Sequence, residues 1–143
     1  MRIWMASDHA GFALKAHLKA HLLRRGYEVV DIGTHSEDST DYPMWVHRLM
    51  EAFPPDEKAI LICGTGNGVC MTANRYPQVR AALAWNAEIA RLARAHNDAN
   101  ILCLPGRFLS PEEAERAVEA FIQTPFEGGR HQKRVSRINP HSV

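Results

Sequence analysis

The run Ile60-Leu61-Ile62-Cys63-Gly64-Thr65-Gly66-Asn67-Gly68 sets a thiol where an apolar segment gives way to alternating glycines. A cysteine delivered by a buried strand into a loop of uncovered backbone N–H groups is arranged for chemistry on a small anionic substrate. Taken alone, Cys63 also reads as a small buried hydrophobe. The chemical reading depends on which other groups converge on it.

Several familiar uses of such a loop are excluded. A dinucleotide fingerprint requires a third glycine where the chain has Val69, and the first strand–helix turn, Asp8 to Gly11, lacks the glycine series. A Walker loop requires Gly-Lys, which occurs nowhere. A cysteine-dependent phosphatase needs an arginine where Val69 stands. His17 and His21 are spaced for one face of the first helix, but no carboxylate or thiolate pattern accompanies them, and they read as an exposed face.

The elements that must position the loop follow from apolar patterning. Short apolar runs at 2–7, 28–32, 59–63, 79–84 and 100–104 read as strands buried on both faces, and they alternate with amphipathic segments. Helices are expected over 12–24, 42–53, 67–75, 86–96 and 111–123. Gly26 follows the first, Pro54 and Pro55 stop the second, and Ser110, Pro111 and Glu113 open the last with cap, N1 proline and capping-box partner. The expectation is an α/β chain: one three-layer, Rossmann-like domain over 1–143. A five-stranded parallel sheet carries helices on both faces, and a C-terminal helical tail follows.

Composition narrows the setting. The 143 residues suffice for one folded domain, and 17 Lys plus Arg against 16 Asp plus Glu give a net charge of +1, too little for a nucleic-acid surface. Three cysteines, Cys63, Cys70 and Cys103, form no CxxC pair and point to a reducing, cytoplasmic setting. The apolar N-terminal run stops at Ser7, too early for a signal peptide, and no stretch is long enough for a membrane helix.

In an open parallel sheet, ligands bind at the carboxyl ends of strands where the winding reverses. Asp8 and His9 follow strand one, and the Cys63 loop follows strand three. His96 ends a helix entering strand five, which faces it to the other rim. That placement favours a second subunit completing the site across a two-fold interface. Alone, His96 is a cation at a helix carboxyl end. The tail from 124 to 143 carries Arg130, His131, Lys133, Arg134 and Arg137 after Gly128-Gly129, and reads either as a solvated end or as a cation cluster seeking an anion.

At this point the chain resembles the type B ribose-5-phosphate isomerases, a family that includes allose- and galactose-6-phosphate isomerases. The likeness runs through nearly the whole chain. It is carried by Ser7-Asp8-His9-Ala10-Gly11-Phe12, Asp31-Ile32-Gly33-Thr34, Thr40-Asp41-Tyr42-Pro43, Cys63-Gly64-Thr65-Gly66-Asn67-Gly68, Ala73-Asn74, His96-Asn97-Asp98-Ala99-Asn100 and Gly128-Gly129-Arg130-His131-Gln132.

The resemblance implies an aldose–ketose isomerase that passes through an enediolate without metal or organic cofactor. It implies Cys63 as the base, an unusual role for a group mostly protonated at neutral pH, with the amides of Gly64, Thr65, Gly66, Asn67 and Gly68 around the oxyanion. One branch of the family uses a glutamate at the position of Val69; Asn67 is nearer to that branch. The resemblance further implies His96 as the acid that opens the furanose ring and Asn97, Asp8 and His9 as sugar contacts. Arg107, Arg130 and Arg134 then hold the phosphate.

The implied assembly is a homodimer, with a dimer of dimers as the larger form, its site shared between subunits and the 124–143 tail crossing the interface. Ribose 5-phosphate and ribulose 5-phosphate are the expected substrates. A hexose 6-phosphate (allose or galactose), a non-catalytic sugar-phosphate or nucleotide sensor, and a subunit active only with a different partner chain are the alternatives. Nucleic acid and membrane are not expected partners.

Overall fold

Strands that are apolar throughout must be covered on both faces, and the winding of this chain provides the two layers. The computed structural model describes residues 1–140; the last three residues of the expected tail lie outside the described residues. The elements in chain order are β1 (Arg2–Ser7), a 3₁₀ turn (His9–Gly11), α1 (Phe12–Arg24), β2 (Glu28–Gly33), α2 (Tyr42–Met50) and β3 (Lys58–Cys63). They continue through α3 (Asn67–Ala73), β4 (Ala81–Leu83), α4 (Ala87–Asn97), β5 (Ile101–Pro105), α5 (Pro111–Gln123) and α6 (Arg130–Val135). All strand pairings are parallel, in the order β2-β1-β3-β5-β4.

The two-residue period of the strands divides the core. Ile3, Met5, Ile60, Ile62, Leu102 and Leu104 face α1, α4 and α5. Trp4, Ala6, Leu61, Cys63, Ile101 and Cys103 face α2 and α3. The three-layer α/β expectation therefore holds. From β1 the chain winds outward to β2, whereas from β3 it winds the other way. The carboxyl ends of β1 and β3 thus form the switch point of the sheet.

Several boundaries differ from the sequence expectation. α2 ends at Met50 rather than 53, because Ala52 and Phe53 both donate to the Leu49 carbonyl, tightening the last turn before Pro54. α3 stops at Ala73 rather than 75: the Asn74 side chain donates to Ala81 O and accepts from Ala81 N, each at 2.9 Å, drawing the chain into β4. β4 is three residues instead of six, since Val79 N closes a turn on Tyr76 O. His17 and His21 are not an exposed face. They pair with Glu115 and Glu119 of α5, which joins α1 to α5.

One buried ion pair ties helix to sheet beside the switch point. Lys15 of α1 is 1% exposed, and its ammonium lies 2.7 and 2.8 Å from the two Asp31 carboxylate oxygens on β2. Asp31 also accepts from Gly33 N at 3.0 Å, fixing the end of β2 where Trp45 packs over Gly33. Breaking such a pair strands a charge, which costs more than removing both partners. Asp31→Asn is expected to lower unfolding stability by roughly 3–5 kcal/mol. Adding Lys15→Met to it should recover most of the loss; urea unfolding that shows the double variant no more stable than Asp31→Asn refutes this role.

Candidate functional site

Cys63 is the last residue of β3, 5% exposed, with its side chain on the α2–α3 face. Two backbone bonds join its loop to the one after β5: Gly106 N donates to Cys63 O at 2.9 Å and Arg107 N to Gly64 O at 3.1 Å. The Arg107 side chain then crosses Gly64, with Nη1 3.3 Å from where a Cβ would stand. The loop needs its glycines. Gly66 has φ +78°, and a Cβ there would meet Leu83 Cδ1 at 2.5 Å. At Gly68 a Cβ would stand 2.4 Å from the Tyr42 ring. Thr65 Oγ1 accepts from Asn67 N at 3.3 Å, completing the turn into α3.

The loop after β1 lies alongside. Asp8, buried, accepts from Gly11 N through Oδ1 at 3.1 Å and so caps the 3₁₀ turn. That turn rests on β3, since a Cβ at Gly11 would meet Ile62 O at 2.6 Å. His9 Nδ1 accepts from Thr40 N at 3.2 Å, so its proton resides on Nε2. Thr40 in turn accepts from Trp45 Nε1 at 2.9 Å. The segment between β2 and α2 is thereby folded over His9, and it carries Tyr42 onto Gly68. Thr40 and Tyr42 were not candidates on residue type; their signal was the Thr40-Asp41-Tyr42-Pro43 run.

Of the sequence candidates, Cys63, Gly64, Thr65, Gly66, Asn67, Gly68, Asp8, His9 and Arg107 meet at this rim. The other four do not. His96 and Asn97 end α4 and precede the amino end of β5. Five residues of strand, about 3.3 Å each, put them on the opposite rim, roughly 15 Å away. There the His96 ring stacks on His131 with centroids 4.2 Å apart and planes 13° apart. Glu127 Oε1 stands 3.8 Å from His96 Nε2 and 3.5 Å from His131 Nε2. Burial, then the neighbouring His96, Arg130 and Arg134, push His131 below the usual imidazole range, against the opposing pull of Glu127.

The tail is ordered onto α4 by Glu127 N donating to Ala95 O at 3.0 Å, and Gly128 and Gly129, both at positive φ, turn it into α6. Arg130, Lys133, Arg134 and Arg137 then line an open recess of about 550 Å³. Asn97 lies in a separate recess of about 370 Å³ with Asn74, Arg80 and Asn139. The cation cluster, rather than a frayed end, is the form the tail takes over the described residues. Among those residues, no helix is long and apolar enough to cross a membrane.

The remaining thiols are occupied elsewhere. Burial pushes the Cys103 thiol well up, and Cys70 donates to Ala81 O at 3.4 Å.

A family model described as Ribose/Galactose Isomerase matches residues 3–138. The chain belongs to that family. By class it is accordingly an aldose–ketose isomerase. The probable ribose-5-phosphate isomerase B of Mycoplasma pneumoniae is 46% identical over 139 residues, covering 95% of this chain and 91% of its own. A crystal structure of the Thermotoga maritima ribose 5-phosphate isomerase superposes with a TM-score of 0.91 at 48% identity, covering 94% of each chain. The Mycoplasma genitalium ribose-5-phosphate isomerase B, solved with bound ribulose-5-phosphate, gives a TM-score of 0.87 at 41% identity, covering 96% of this chain and 93% of that one.

The contact between Tyr42 and Gly68 gives a direct test of how this isomerase holds its loop. Gly68→Ala should force the ring away and cost about 1–3 kcal/mol in stability, with a loss of kcat/KM. Tyr42→Ala in the same chain should restore stability. Additive losses in the double variant, read by thermal melts, would remove the ring from this role.

Proposed function

We propose that the chain interconverts ribose 5-phosphate and ribulose 5-phosphate, with each active site assembled from two copies. The observation that carries this reading is Cys63 closing a buried strand beneath a glycine loop crossed by Arg107. The ribose-5-phosphate isomerases that the chain resembles support the pentose substrate. The crystal structure of the M. genitalium relative with ribulose-5-phosphate supports it further.

In the proposed reaction the sugar enters as a furanose, and His96 of one copy opens the ring by giving a proton to the ring oxygen as the C1–O4 bond breaks, while the O1 hydroxyl loses its proton to water and becomes the aldehyde oxygen. Cys63 of the other copy, as thiolate, takes the proton from C2, and the electron pair forms the C1–C2 enediolate. Amides of Gly64, Thr65, Gly66, Asn67 and Gly68 receive the oxyanion. The C2 hydroxyl proton moves to O1, and the Cys63 thiol returns its proton to C1, giving the ketose. Asp8, His9 and Asn97 orient the sugar, while Arg107 and the partner copy's own cations hold the phosphate by charge-assisted bonds. The tail cations Arg130 and Arg134 belong to the same half-site as His96.

The assembly follows from the separation of the two rims. A homodimer with the 124–143 tail at its interface brings the His96 half of one copy to the Cys63 half of the other. A cytoplasmic setting remains the expectation drawn from the cysteine usage.

Four measurements test the reading. Cys63→Ala is expected to lower kcat by about 10²–10⁴-fold with substrate binding nearly intact, and unimpaired turnover refutes the base. Arg134→Ala should act mainly on KM, raising it by about 10–100-fold; an unchanged KM takes Arg134 out of the site. Co-expressed Cys63→Ala and His96→Asn chains, each inactive alone, should regain about a quarter of normal activity through mixed dimers with one intact site. No recovery means that the two residues serve the same copy. An NMR time course with ribose 5-phosphate, allose 6-phosphate and galactose 6-phosphate decides the substrate, and a preference for either hexose overturns the pentose assignment.

A further inference from the structure

His96, Glu127 and His131 are three potential metal ligands whose donor atoms all lie within 4.8 Å of one another. Their spacing is close to what coordination requires. With metal–ligand distances of about 2.0–2.2 Å, two ligand atoms of a tetrahedral zinc site stand about 3.4 Å apart. Glu127 Oε1 lies 3.5 Å from His131 Nε2 and 3.8 Å from His96 Nε2, each within a few tenths of an ångström of that spacing, while the two stacked rings must turn so that their nitrogens converge on the ion.

The backbone that carries two of these side chains is fixed by hydrogen bonds. Glu127 is pinned to α4 by its N–H on Ala95 O, and His131 N donates to Gly128 O at 3.0 Å. Two imidazoles stacked at 4.2 Å repel each other if both are charged. Each ring binds an ion only as the neutral imidazole, through a ring-nitrogen lone pair. Glu127 is 54% exposed in its side chain, which leaves a solvent side for entry and for a fourth, non-protein ligand.

We propose that His96, Glu127 and His131 bind a divalent ion of the zinc class, with one position open to water, and that the ion reversibly inhibits the isomerase by occupying His96. Two imidazoles and a carboxylate suit zinc, cobalt, nickel or copper, not magnesium or calcium, which take all-oxygen sets. Arg130 and Arg134 flank His131 on α6. These cations weaken the site relative to a structural zinc centre, as a reversible brake requires. Inhibition rests on the reading of His96 as the ring-opening acid, whereas binding does not.

The test uses the full chain freed of metal and titrated with cobalt(II), read by the intense visible absorption of tetrahedral cobalt. Saturation at one ion per chain is expected. Glu127→Gln and His131→Asn should each weaken binding by at least about tenfold, while Cys63→Ala leaves it unchanged. In isomerase assays zinc should stop the unaltered chain and a chelator restore it. Each of the two ligand variants, measured against its own metal-free rate, should tolerate at least about tenfold more zinc. No saturable band, a band indifferent to both ligand substitutions, or a band lost in Cys63→Ala overturns the site. Binding with the expected substitution effects but undiminished turnover keeps the ion site and overturns the placement of His96 in the reaction.

Discussion

A parallel sheet separates the two kinds of connection: every strand-to-helix loop opens at one rim and every helix-to-strand loop at the other. This constraint governs the molecule. Cys63 and Arg107 follow β3 and β5, whereas His96 and Asn97 precede β5, so the strand itself stands between them. No side chain spans roughly 15 Å, and no local rearrangement exchanges the rims. In the proposed mechanism a two-fold assembly would resolve the separation for both copies at once, because an isologous interface would pair each copy's first rim with the other's second. Exposed Tyr42, Met44, Met71, Trp85 and Phe108, on α2, α3 and the loops after β4 and β5, are the apolar surface that such an assembly would cover.

Within one copy, the carboxyl rim is rigid despite its glycines. Gly66 and Gly68 are where Leu83, the Leu104 backbone and Tyr42 come too close for a side chain, so the loop is clamped from two elements. Gly106 and Arg107 fix its other edge through the Cys63 and Gly64 carbonyls. In the proposed mechanism, amides held this way would need no reorganisation when charge develops in front of them, which is the physical content of preorganisation. The opposite rim is built on another principle: a backbone bond at Glu127, an aromatic stack and side-chain bonds from Arg94 to Thr124 O and from Asn139 to Pro77 O hold a mostly exposed helix of six residues.

How much of this was legible in the sequence depended on how local the cause was. α1 and α5 have the expected limits because Gly26 follows one and a complete capping box on Ser110 and Glu113 opens the other. The end of α3 was misplaced because a bond beyond the local pattern, Asn74 on Ala81, sets it, whereas the ends of α2 and β4 are set by tight turns on Leu49 and Tyr76 that apolar patterning does not reveal. The Cys63 loop was evident from its own residues. Thr40 and Tyr42 were not, since only the folding of the β2–α2 segment over His9 gives them a place. Glu127 and His131 meet His96 through the turn at Gly128 and Gly129, a juxtaposition no residue spacing encodes.

Three thiols lie on the α2–α3 side of the sheet, and their positions along the strands distinguish them. Cys103 sits in mid-strand, fully buried, where the thiolate is strongly disfavoured. Cys70, on α3, donates a hydrogen bond to the Ala81 carbonyl and accepts one from the Asn74 amide. Only Cys63 occupies a strand end, where the covering layer stops and the glycine loop begins. In one branch of the family the base is a glutamate at the position of Val69. Here that side chain is 1% exposed and packed among Leu61, Ala73 and Cys103. A carboxylate there would be desolvated without a counter-ion, so the packing that accepts valine disfavours that alternative. In the proposed mechanism the proton at C2 is therefore left to the thiol of Cys63.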